Sequence, residues 1–277
     1  MSVNPQRPFG LSPAAMFRSA WDNRRLIWQL TKREVLGRYR GSMMGLLWSF
    51  LTPLVMLAVY TFVFSVVFEL RWGPQPRRKS DVAMMMFAGM IVHNLFAECA
   101  SRAPSLILSN PSFVKRVVFP LEILPLVSLG SALFHTLVSL LVLLGFSLTL
   151  QQQVHWTTMA MPFVLLPLVL LTVGLSWFLA SLGVYIRDVG HTIGLVVLML
   201  LFLSPVIYPA SAVPEEYRIW INLNPLTFII EQTRTAVLSG GAMDWVGLLL
   251  FVGGGLTVAW LGFAWFQKTR RGFADVL

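Results

Sequence analysis

Long runs free of formal charge alternate along the chain with short basic or polar connectors. Gly41 to Phe68 is the first such run, and Val82 to Ser101, interrupted only by Glu98, is the second. A helix needs roughly 20 mainly apolar residues to cross a bilayer. The uncharged run from Ile123 to Ile186 therefore holds two crossings, with Gln151, Gln152, Gln153 and His155 marking the turn between them. Val189 to Tyr208, closing on Ser204-Pro205 and Tyr208-Pro209, gives a fifth span and Trp245 to Gln267 a sixth. An even number of spans puts both chain ends on one side. Between the last two, the uncharged stretch Ile219 to Ile230 is only 12 residues long and is broken by Asn224-Pro225. It is too short to cross and predicts a re-entrant pair of short helices, tolerable where protein or water covers the broken backbone.

Ahead of the first span, Ser12-Pro13 is a helix start: a capping hydroxyl, then a proline whose missing N–H costs nothing there. Phe17, Trp21, Trp28 and Val35 fall on one helical face, with Arg18, Arg25, Lys32 and Arg33 largely elsewhere. The pattern is that of a basic amphipathic helix at a membrane surface. It serves equally as a plain membrane anchor or as a docking element for a partner.

Composition agrees with a chain that lives in lipid: 56% of the 277 residues are hydrophobic and 12% charged, against about 25% charged in soluble domains. Disorder is excluded by the same figures, and the single cysteine, Cys99, excludes a disulfide framework. The net charge of +9 reads as positive-inside bias rather than nucleic-acid binding, because Lys and Arg number fifteen on the side of the chain ends and six on the other. Both termini are accordingly expected in the cytoplasm. The cluster Arg77-Arg78-Lys79 falls on the minority side and is outvoted. The first 40 residues contain no apolar stretch resembling a cleaved leader.

Several chemistries are absent. There is no G-x-x-x-x-G-K-[ST] loop for nucleotide phosphates, no H-E-x-x-H or C-x-x-C, and no G-x-S-x-G nucleophile turn. No catalytic or metal residues are expected, and His93, His135, His155 and His191 are scattered, which suits packing or interface roles. Ionisable groups within spans mark function by default, yet only Glu98 lies inside one, with Glu122 and Glu231 at margins, a poor supply for a proton- or sodium-coupled carrier. Glu98 either pairs with Arg102 one helical turn on or takes part in transport. Gly41-x-x-x-Gly45, Gly190-x-x-x-Gly194 and Gly253-Gly254-Gly255 each offer a surface that another helix could approach closely.

Arg33-Glu34, Arg38-Tyr39-Arg40-Gly41-Ser42 and Gly45-Leu46-Leu47-Trp48 followed by Pro53 resemble the opening signature of permease subunits of bacterial ABC-2 type polysaccharide exporters. Asn110-Pro111, Lys115-Arg116 and Phe119-Pro120-Leu121-Glu122 resemble the family's cytoplasmic loop between spans two and three, and Tyr185-Ile186-Arg187-Asp188 its fourth loop. Ser204-Pro205-Val206-Ile207-Tyr208, Asn224-Pro225-Leu226 and Arg234 resemble its external end, and Phe273-Ala274-Asp275 its tail. The matches run in order along nearly the whole chain.

The resemblance implies an all-α integral membrane fold of six transmembrane helices, with an N-terminal cytoplasmic amphipathic helix and external re-entrant helices between spans five and six. It divides the chain into a cytoplasmic segment 1–42, a transmembrane domain 43–267 and a tail 268–277. It further implies two copies of this permease in the bacterial inner membrane beside two copies of a separate ATPase. That subunit, not this chain, would bind ATP and Mg. The substrate implied is a lipid-linked polysaccharide such as O-antigen. Residue by residue, Asn110, Pro111, Phe113, Lys115, Arg116 and Phe119 become the segment that couples to the ATPase. Arg33, Arg38, Tyr39 and Arg40 become the cytoplasmic channel mouth, able to meet a carrier phosphate or simply lipid headgroups. Pro205, Tyr208, Asn224, Pro225 and Arg234 become the external gate. Tyr39, Trp48, Tyr208, Tyr217 and Trp220 suit an interfacial belt better than sugar platforms. An exporter of small hydrophobic compounds shares the same fold implication, and an intramembrane enzyme acting on lipid-linked sugars is the reading from another class.

Overall fold

A computed structural model describes residues 10–67, 79–114, 119–151 and 154–276, and all regular structure among them is helical. The first helix starts at the predicted place: the Ser12 hydroxyl accepts the backbone N–H of Ala15 at 3.2 Å, and Pro13 opens the first turn. The single amphipathic helix expected there is two helices, α1 (Pro13–Asp22) and α2 (Arg24–Arg38). They part at Asn23, whose side-chain amide donates back to the Ser19 carbonyl at 2.8 Å, a local bond that competes with helix continuation. The bend splits the predicted apolar face. Val35 and Thr31 are buried as α2 packs on α6 (Ile123–Gln151), whereas Trp21 and Trp28 remain 68% and 69% exposed.

The first span begins later than its uncharged run. Residues 39–46 form successive turns, with Gly41 at φ +87° and Gly45 at φ +50°, a region open to glycine without steric cost. A Cβ at either would meet nothing, so this Gly-x-x-x-Gly is turn chemistry and not a helix-packing face. The same is true in a different way of Gly190 and Gly194, where no other part of this chain approaches. Helix α3 (Leu47–Tyr60) then rises and runs on through π-helical turns Thr61–Val67.

Around it stand α4 (Lys79–Arg102), α6, α7 (Met161–Tyr185), α8 (Val189–Leu203) and α11 (Trp245–Thr269). Helix α4 is the centre of the bundle: 78% of its apolar span is buried, against 17% for α3 and 28% for α11. The α7–α11 pair is packed backbone to backbone. A Cβ on Gly174 or Gly262 would overlap the main chain opposite, and Trp177 meets Phe263 edge to face at 5.2 Å, the close approach that small residues permit in lipid. Of the glycine triplet only Gly255 serves such a contact, against Pro167. Among the described residues, five helices are long and apolar enough to cross a membrane. The fifth expected span, α8, is helical for 15 residues, about 22 Å at 1.5 Å per residue, and reaches the far end through the turn at Ser204-Pro205.

The first helix and the last long helix meet at one end of the bundle. Ser19 of α1 donates to Glu122 Oε1 at 3.1 Å, and Arg270 donates to Glu122 Oε2 at 2.8 Å. At the opposite end the turn after α6 packs on the segment Thr235–Ser239, Thr157 donating to the Ala236 carbonyl at 2.7 Å. The short uncharged stretch forms two helices as expected, α9 (Glu215–Leu223) and α10 (Pro225–Arg234). The break is at Asn224, whose side chain accepts the Leu226 N–H at 3.0 Å and caps α10. Gln152, Gln153, Arg77 and Arg78 lie outside the described residues.

Candidate transport site

At the terminus-bearing end, the last residue of α2 meets α4 and α6. Arg38 donates to Glu98, and His135 Nδ1 lies 3.1 Å from Glu98 Oε2 and 3.1 Å from Arg38 Nη1. Tyr39 Oη lies 3.2 Å from the other ring nitrogen of His135, and partial burial raises the Tyr39 pKa. Arg102 approaches Glu98 at 3.7 Å, as expected for residues one turn apart, but its closer partner is Glu34 of α2 at 2.6 Å. Glu98 thus has three basic neighbours rather than one. His135 takes an interface role, in this cluster between helices; His93, buried within the bundle and donating Nε2–H to the Val197 carbonyl at 3.2 Å, takes a packing one.

Two cavities adjoin the cluster. One, of about 470 Å³, runs from Arg38, Tyr39, Glu98 and His135 along α3, α4 and α6 past Asn94, Thr52 and Ser139 to Phe87 and Tyr60. The other, of about 320 Å³, is lined by Arg33, Glu34, Arg102, Ser105, Ser109 and Asn110. Of the four residues assigned to the channel mouth, Arg38 and Tyr39 line the first cavity and Arg33 the second, while Arg40 is exposed in the turn that follows α2.

The predicted coupling segment leaves the bundle at this same end. Asn110 donates to the Leu106 carbonyl at 2.9 Å, and Pro111 opens the single turn α5 (Pro111–Val114). Phe113 and Phe119 stack with ring centroids 4.2 Å apart and planes within 9°, so the base of the segment is closed by its own aromatics. Lys115 and Arg116 lie outside the described residues.

The predicted gate residues come together at the opposite end. Arg234, 2% exposed, donates Nε to the Met85 carbonyl at 2.9 Å, Nη2 to the Val206 carbonyl at 3.0 Å and Nη1 to Glu231 at 2.7 Å. Burial lowers its pKa and Glu231 opposes the shift. Asn224 donates to Ser204 Oγ at 2.8 Å, tying the α9–α10 break to the end of α8, and Tyr208 donates to the Phe202 carbonyl at 2.8 Å. Pro205 is buried within that turn and Pro225 is exposed at the head of α10. Met85 and Glu98 are 13 residues apart on α4, so the two clusters stand about 20 Å apart along the helix axis. Sequence reasoning missed the Ser19–Glu122–Arg270 tie; its one visible signal is an acid at the head of a long uncharged run.

Residues 25–238 match the family model described as ABC-2 type transporter. The chain belongs to that family, and it is a transporter permease rather than an enzyme. It is 26% identical over 262 residues to the O-antigen export system permease protein RfbA of Myxococcus xanthus, covering 94% of this chain and 98% of that one. The protein of the same name from Klebsiella pneumoniae is 25% identical over 251 residues, 90% of this chain and 93% of its own. The polysialic acid transport protein KpsM of Escherichia coli is 23% identical, over 86% of this chain and 91% of its own.

Proposed function

We propose that the chain is the permease subunit of an ABC exporter that moves lipid-linked polysaccharide, O-antigen-like in class, across the bacterial inner membrane. The observation that carries this reading is similarity over nearly the full length of both chains to permeases named for O-antigen export. The fold is compatible with it: a cavity enters the bundle from a charged end, and mostly apolar walls with aromatic and hydroxyl side chains among them continue along it. In this reading six helices cross the membrane with both termini in the cytoplasm, and two permeases enclose the conduit. A polymer longer than the membrane is thick then passes stepwise between them. ATP and Mg belong to the separate ATPase, which engages the segment from Asn110 to Phe119. Arg33, Arg38, Tyr39 and Arg40 serve the cytoplasmic mouth. Pro205, Tyr208, Asn224, Pro225 and Arg234 form the external gate.

The test is depletion of the protein in its native host, followed by sugar analysis of lipid-linked glycan in spheroplasts and of glycan at the cell surface. Accumulation inside with loss outside is the expected result. Unchanged surface glycan would sink the polysaccharide reading and leave an exporter of small hydrophobic compounds, to be tested by drug sensitivity.

A further inference from the structure

The coupling segment leaves the bundle after α4 and returns at the head of α6, yet both of its roots are held by a third helix, α7. At the outgoing root a Cβ on Gly183 would overlap the main chain of Pro104, so the two backbones touch there. At the returning root Trp177, six residues earlier on α7 and about 9 Å along its axis, donates Nε1–H to the Glu122 carbonyl at 2.8 Å. The Glu122 side chain extends the hold to α11. Its Oε2 accepts from Arg270 at 2.8 Å, in the turn that follows α11, and its Oε1 accepts from Ser19 of α1 at 3.1 Å. We propose that Glu122 and Arg270 are positioning residues that clamp the root of the coupling segment to α7 and α11, so that a stroke of the ATPase displaces this helix pair as one body. The inference rests on the reading that the segment from Asn110 to Phe119 engages the ATPase.

Three observations carry it. First, the pair is buried, with side-chain exposures of 14% for Arg270 and 11% for Glu122. Desolvation offsets most of the attraction in such a pair, so its worth lies less in stability than in fixing which groups meet. Here the groups that meet are 148 residues apart in the chain. Second, α7 and α11 have no room to slide independently, because their main chains touch at Gly174 and Gly262 and again where Gly255 meets Pro167. Their ends beside the clamp are also joined, Ser181 to Thr269 at 2.6 Å and Tyr185 Oη to the Thr269 carbonyl at 2.9 Å. Third, α11 packs chiefly on α7, whereas the covalent links of the coupling segment lead into α4 and α6. The Glu122–Arg270 pair is a direct tie from that segment to the end of α11.

The test uses the full-length permease assembled with its ATPase in nanodiscs. Spin labels are placed at Leu148→Cys on α6 and Leu249→Cys on α11, both exposed, while the buried native Cys99 stays unlabelled; labelled permease is diluted into unlabelled. ATP with vanadate is expected to shift the 148–249 distance read by double electron–electron resonance. Glu122→Leu with Arg270→Met exchanges the buried pair for apolar groups, a replacement that such sites commonly tolerate. This double variant should keep the unfolding midpoint and the rate of ATP hydrolysis but lose the shift, which a merely structural pair would not do. Arg270→Gln, which keeps a donor opposite Glu122 without the charge, is the second variant and should shrink the shift while hydrolysis persists. A shift of full size in either variant, or none in the unsubstituted complex, overturns the proposal. Loss of assembly or hydrolysis in both variants would make the pair part of the scaffold alone and overturn it as well. Because no glycan enters this measurement, its failure leaves the export reading standing.

Discussion

Arg234 shows how a single side chain can hold an end of this bundle together. Its guanidinium satisfies the Met85 carbonyl of α4, the Val206 carbonyl after α8 and the Glu231 carboxylate of α10 at once, with almost no exposed surface. Arg234→Leu leaves two buried carbonyls without their donor, and we expect a loss of about 3 kcal/mol of stability, seen as a lowered unfolding midpoint in detergent. Arg234→Lys is expected to recover only part of it, since a point-like ammonium cannot reach three separated acceptors as a planar fork does. The hydropathy pattern marks Arg234 as a cation beside a short apolar stretch and the resemblance puts it at the external end, but its burial depends on a contact 149 residues away. His135 was illegible for the same reason: Glu98 and Arg38 reach it from two other helices. Asn224-Pro225 and Ser12-Pro13 were legible because capping acts within three residues of the cap.

At the scale of elements, span positions were legible from charge-free runs, while helix ends were not. Gly41 to Leu46 is as uncharged as the helix that follows, and only the left-handed glycines, invisible to a hydropathy pattern, reveal the turns. The amphipathic segment was right in type and wrong in continuity, because Asn23 breaks a helix whose face pattern runs on across it. The tightest helix pair, α7 with α11, rests on Gly174 and Gly262 where the two main chains touch. Gly262→Leu should force them apart and lower thermal stability by about 2 kcal/mol or more, with Gly253→Leu, which meets open space, as the harmless control. The coupling segment gives a functional prediction of the same scale. Lys115→Glu with Arg116→Glu is expected to abolish export while permease abundance in the membrane and ATP hydrolysis by the partner persist, measured as surface glycan against ATPase activity. Normal export by the double variant would remove the segment from its role.

For the whole molecule, the decisive relation is that the first helix and the last long helix share one end of the bundle. Glu122 receives Ser19 from the first helix and Arg270 from the last, and Trp260 donates to the Leu11 carbonyl at 2.8 Å. This arrangement agrees with the even number of crossings that the charge-free runs predict, and the Lys and Arg count predicts the direction. Single cysteines test both at once against a native Cys99 that is 1% exposed and should stay unlabelled. Leu11→Cys and Arg271→Cys, both exposed, should react with a membrane-impermeant maleimide only after the inner membrane is opened, and Ser211→Cys, exposed between α8 and α9, should react in intact spheroplasts. Labelling of residues 11 and 271 from different sides would contradict the Glu122 junction. Labelling of both from outside would keep the junction and invert the orientation. The side carrying six of the Lys and Arg residues, Arg77, Arg78 and Lys79 among them, would then face the cytoplasm against the positive-inside bias, and the cavity beside Arg38, Glu98 and His135 would open outward.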